Sequence, residues 1–207
     1  MPPTAGSSSR CGDVVAIALG LLVVAPGALG AQWSIVAEVG TAGFAGGATD
    51  TSAGGGTFRP YRLTILGARL ERRWHRFGLA AGALTSGADV AVDGSEVLVA
   101  LKNQLRLLEI GAEASLLLAR PGPAASLWAR AGPLLDSWSP KGGERRQRVG
   151  GQVGASLEWS LGGRLSGSLR GAVALTRSAF EDGELPAGYE RRAMWRRSWV
   201  GGVRLRL

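Results

Sequence analysis

Apolar and polar positions alternate with a period of two through most of this chain, the signature of extended strands with one face in each environment. Over residues 193–207, Trp195, Arg197, Trp199, Gly201, Val203, Leu205 and Leu207 share one face. Arg196, Ser198, Val200, Gly202, Arg204 and Arg206 share the other. Residues 33–40 set Trp33, Ile35, Ala37 and Val39 against Ser34, Val36, Glu38 and Gly40. The same rhythm runs through 77–83, 106–119, 125–132, 149–159 and 165–176. Residues 58–73 fall out of phase, because Leu63 and Ile65 share a face with Arg69 and Glu71, and a bulge near Gly67 is expected to repair the register.

Eight strands of ten to fifteen residues result, joined by long segments (41–57, 86–104, 139–147, 178–192) and by short turns (72–76, 120–123, 161–164). The first long segment is rich in Gly, Thr and Ala and has no period, which predicts a mobile loop. Strands that separate lipid from a polar lumen need an apolar outer face about 9–11 residues long and come in even number. The pattern therefore predicts an all-β fold, an eight-stranded antiparallel up-and-down transmembrane β-barrel. Closure requires residues 193–207 to pair with residues 33–40, with Glu38 as the nearest carboxylate for Arg204.

Tryptophan and tyrosine favour membrane interfaces and test the strand assignment independently. Trp33, Trp74 and Trp159 fall at the turn ends of their strands, and Tyr61, Trp138 and Trp195 at the loop ends. Two girdles are expected, with Trp128 left facing the lumen.

The first residues change the domain picture. Arg10, an apolar run over 14–24, Pro26 and the small-residue site Ala28-Leu29-Gly30-Ala31 have the layout of a secretory signal peptide. Residues 1–31 are expected to be removed after Gly30 or Ala31, leaving a barrel of residues 32–207. Cys11 leaves with the leader, so neither disulfide nor thiolate chemistry is expected in the mature chain. The net charge of +8 and a pI near 11.1 raise the question of nucleic acid. Arginines gather instead at turns and loops (Arg72, Arg73 and Arg76; Arg145, Arg146 and Arg148; Arg191, Arg192, Arg196 and Arg197), which favours anionic lipid head groups as partners and excludes nucleic acid for an exported chain.

Candidate chemistry is confined to the lumen. Glu38, Arg69, Glu109, Glu113, Arg130, Glu158, Arg170 and Arg204 are expected to face inward. A barrel of eight strands is only wide enough to be filled by side chains, so these groups are expected to form a structural salt-bridge network, with a gated ion path as the alternative. His75 is the only histidine and lies in a short turn, away from the outer rim where a catalytic cluster would be needed. No catalytic residue, metal site or cofactor is expected. Arg197, on the lipid face between Trp195 and Trp199, either snorkels or contacts a lipopolysaccharide phosphate.

On this pattern, residues 32–207 resemble the small eight-stranded bacterial outer-membrane barrels of the OmpA transmembrane domain and OmpX class. The resemblance implies an outer-membrane location with both termini periplasmic, outer-membrane lipid and lipopolysaccharide as surroundings, a monomer, no enzymatic activity, and a structural or surface-interaction role. It also implies recognition by the barrel-assembly machinery through the last strand. That strand commonly ends in Phe or Trp in the family, and here Val203, Leu205 and Leu207 stand in its place. The alternatives are a small gated pore and a soluble periplasmic lipocalin-like barrel, whose faces would be inverted.

Overall fold

The computed structural model describes residues 32–51, 56–61, 63–93, 98–181, 185 and 187–207. The expected signal peptide lies outside them. In chain order the strands are β1 (Gln32–Ala45), β2 (Ala48–Asp50), β3 (Thr57–Tyr61), β4 (Leu63–Trp74), β5 (Phe77–Asp93), β6 (Leu98–Gly122), β7 (Ala125–Pro140), β8 (Arg146–Gly162), β9 (Leu165–Thr176), β10 (Tyr189–Arg191) and β11 (Met194–Arg206). Neighbouring strands run β5-β4-β1-β11-β9-β8-β7-β6, and a β5–β6 pairing closes them into an eight-stranded antiparallel barrel. The seam falls where closure required it: β1 and β11 pair without interruption from Ser34↔Arg206 to Ala45↔Trp195.

Turns at one end are tight. His75 takes a positive φ of 42° between β4 and β5, and the β8–β9 turn passes through Gly162 (121°) and Gly163 (54°), where a side chain would be strained. The other end is more ordered than the composition of its connections predicts. Residues 41–45 continue β1 and residues 48–50 form β2, so the mobile loop expected over 41–57 is corrected for residues 41–50, and residues 52–55 lie outside the described residues. The segment expected as a loop over 86–104, with 97–101 as an upward extension of the strand that follows, prolongs β5 and β6 over its described residues 86–93 and 98–104, which pair up to Asp93↔Leu98 with one irregularity between Ala88 and Val90. Above that point β5 exchanges its partner β4 for β3, and β2 and β10 add to β3 in turn. Backbone bonds from Thr51 to Gly188 (2.8 Å) and from Arg192 to Gly47 (3.0 Å) sew the last long connection to this extension.

The expected bulge near Gly67 is absent: β4 pairs with β1 in unbroken register from Gln32↔Arg73 to Ala42↔Leu63. Leu63 and Ile65 therefore do share the inner face with Arg69 and Glu71. The interior itself changes character along its length, charged toward the turns and apolar toward the loops. Outside, Ile35, Val39, Leu66, Phe77, Leu116, Val153, Leu169, Trp199 and Val203 stand exposed, while Arg69, Glu113, Arg130 and Arg170 are buried. Charge inside and apolar side chains outside is the reverse of a lipocalin, which corrects that alternative.

Candidate functional site

Inward positions follow strand parity, so each strand delivers its polar residues to the lumen at intervals of two. The turn-end half is one continuous ion-pair network. Glu71, with no exposed surface, accepts from Arg73 (2.8 Å), Arg204 (2.7 Å) and Arg130 (3.3 Å). Glu158 binds the same three guanidiniums, at 2.6 Å to Arg73, 2.7 Å to Arg204 and 3.1 Å to Arg130. Arg130 links this group to the next, because it also reaches Glu113 at 3.3 Å. Glu113 accepts from Arg69 at 2.9 Å and from Arg170, and Arg69 reaches Glu38 at 2.5 Å.

The stems of these arginines need space that only missing side chains provide. At Gly82 a Cβ would lie 2.3 Å from Arg69 Cγ. Below the network, the Arg73 guanidinium lies 4.0 Å from the Trp128 ring centre, and Trp128 Nε1 donates to Ser126 at 3.0 Å. A cavity of about 580 Å³ opens there at the turn end, lined by Arg73, His75, Arg120, Trp128, Glu158 and Arg204 among others. Between Glu113 and Glu109 the remaining space is about 20 Å³, enough for about one water molecule.

A smaller ionic group follows. Arg196 pairs with Glu109 and lies 3.7 Å from Asp136. Counted together, six guanidiniums (Arg69, Arg73, Arg130, Arg170, Arg196 and Arg204) face six carboxylates (Glu38, Glu71, Glu109, Glu113, Asp136 and Glu158). Formal charge among these twelve groups is balanced, as burial demands. Five of these carboxylates accept a hydrogen bond from a guanidinium, and Asp136 lies 3.7 Å from that of Arg196.

Toward the loops the lumen is filled by Phe44, Leu63, Ile65, Leu107, Trp138 and Met194. The Phe44 and Trp138 rings meet edge to face, 5.7 Å between centres and 68° between planes. Trp138 is fully buried in this apolar cap. Its expected place in the outer girdle is corrected: it shares parity with Trp128 and Arg130 on β7 and so points inward. Trp33, Trp74 and Trp159 are at the turn end, where Arg72 stacks on Trp33 (5.3 Å) and Trp74 (5.0 Å), and Tyr61 and Trp195 are at the loop end.

All eight residues expected in the lumen network are in it, but one expected pairing is corrected. Arg204 stands beside Val36, not Glu38, in the β1–β11 register, and reaches across the lumen to Glu71 and Glu158. Four members were missed by reading the sequence: Glu71, Arg73, Asp136 and Arg196. The signal was present, since Glu71 and Arg73 have the parity of Arg69, Asp136 that of Arg130, and Arg196 that of Arg204. His75 is exposed at the rim of the turn-end cavity. Among the described residues, no three His, Cys, Asp or Glu side chains are grouped to hold a metal ion.

At the loop end, a cavity of about 780 Å³ is lined by Arg148, Arg177, Glu181, Tyr189, Glu190 and Arg192. The hydrogen bond from Arg148, with Arg191 nearby, holds the Glu181 carboxyl below its ordinary value.

No family model matches the chain, and no curated protein sequence does. Among solved structures, Neisserial surface protein A superimposes with a TM-score of 0.57 at 14% identity, covering 85% of this chain and 98% of that one. The fold is that of the small outer-membrane β-barrels. The N-terminal barrel domain of Pseudomonas aeruginosa OprF matches at a TM-score of 0.47 and 11% identity, over 85% of this chain and 100% of that one. Ail of Yersinia pestis matches at 0.42 and 13%, over 86% and 97%.

Proposed function

We propose that the protein resides in the bacterial outer membrane as a barrel with a closed lumen and a structural or surface-interaction role, without catalysis. The observation that carries this is the order of its surfaces: a belt of exposed Ile, Leu, Val, Phe and Trp around an interior of buried arginine–carboxylate pairs. Such a belt is stable only against lipid, since a soluble monomer seldom exposes apolar patches above a few hundred Å². Residues 1–31 serve as the export signal, both termini face the periplasm, and the β2–β3–β10 extension with its arginine-rich rim faces outward. Outer-membrane lipid and lipopolysaccharide surround the wall of a monomer, the barrel-assembly machinery inserts it, and nucleic acid is not among its partners.

The lumen supports scaffold over pore. Conduction needs a wet path, and here the ion-pair network is roofed on the loop side by the packed side chains of Phe44, Leu63, Ile65, Leu107, Trp138 and Met194. Fractionation combined with unheated gel migration tests the assignment. The protein is expected in the outer-membrane fraction, migrating faster before boiling than after. Recovery in the soluble periplasm would end this proposal.

A further inference from the structure

The outer wall is not uniformly convex. On β8, β9 and β11 the outward residues Ala155, Gly171 and Trp199 form one row across the strands, with Ala155 paired to Gly171 and Gly171 to Trp199. Two of the three are small, so a hollow of about 500 Å³ lies here, bounded by Leu157 and Leu169 toward the turns and by Val153 and Val173 toward the loops. Gly171 is what lets the Trp199 ring lie flat: a Cβ there would come within 3.0 Å of it.

Arg197 closes the hollow on the loop side, paired with Val173 and one rung above Trp199. It is the only charged residue among the outward positions of β11, and it has no hydrogen bond or ion pair with a described residue. Arg72, at the opposite interface, is the useful contrast, because its guanidinium is stacked between two tryptophans. One rung is about 6–7 Å along a strand. An unpaired cation that distance above an apolar hollow matches an amphiphile with an anionic head and an acyl chain.

We propose that this face binds a phosphorylated glycolipid of the outer leaflet, lipid A, with a phosphate on Arg197 and an acyl chain in the hollow over Ala155 and Gly171. The site rests on the outer-membrane assignment proposed above, which puts the loop end, and Arg197 with it, in the outer leaflet. A phospholipid head group shares the phosphate but belongs to the inner leaflet, so the two sources can be told apart.

The test uses protein purified from outer membranes in mild detergent, titrated with diphosphoryl lipid A or with phosphatidylglycerol and read by native mass spectrometry. Wild type is expected to retain lipid A in preference to phosphatidylglycerol. Arg197→Gln should weaken that retention by about tenfold, the weight of a charge-assisted hydrogen bond. Ala155→Leu, which fills the hollow without touching the lumen, should weaken it as well. Arg106→Gln, an exposed arginine on β6, should not. Equal retention of the two lipids, or equal effects of Arg197→Gln and Arg106→Gln, would overturn the site while leaving a heat-modifiable barrel intact. Failure to find the protein in outer membranes would overturn both proposals.

Discussion

The turn-end and loop-end halves of the lumen occupy the same barrel and solve the same packing problem by opposite chemistry. Toward the turns, the space is filled by guanidiniums and carboxylates that bridge four or more strands, with glycines such as Gly82 making room for their stems. Toward the loops, Phe44, Ile65, Leu107, Trp138 and Met194 fill it by shape. The ionic half fixes which strands lie together, because each buried charge must find its partner or incur its desolvation cost. The apolar half excludes water.

Three changes put that contrast under load. Trp138→Ala empties the largest fully buried side chain in the cap and is expected to cost about 3–5 kcal/mol, read as a lower unfolding midpoint in detergent. Glu71→Gln keeps the shape but leaves Arg73, Arg130 and Arg204 with an uncharged neighbour, for a loss of about 3 kcal/mol. An unfolding midpoint unmoved by Glu71→Gln would mean the pairs are ornamental. The smallest effect belongs to the rim. Glu181 has its carboxyl held below the ordinary value of 4.5 by Arg148, so its contribution is complete above that pH and is lost as pH falls through the lowered value. Proteolysis of the 178–192 connection should therefore accelerate below about pH 4.5, and Glu181→Gln should remove the pH dependence. The half-exposed pair should leave the global midpoint unmoved.

How legible each half was follows from the same chemistry. Where outward residues are apolar and inward ones polar, the period of two is visible, and the strands, the seam and eight lumen charges could be read from it. Where both faces are apolar the period disappears. Leu105 and Leu107 point inward beside outward Leu108, so the upper parts of β5 and β6 look like an irregular loop. The switch from charged Arg69 and Glu71 to apolar Leu63 and Ile65 on one face of β4 imitates a register slip, which is why a bulge was expected. Trp138 sits at a strand end, the position of a girdle residue, but its parity turns it inward. Arg204 was paired with the wrong carboxylate because adjacency in the sheet does not encode reach across the lumen.

Current across a planar bilayer tests the closed lumen most directly. The purified barrel is expected to insert and remain electrically silent, because ions meet a locked charge network on one side and an apolar cap on the other. Steady unitary channels from the wild-type protein would contradict that.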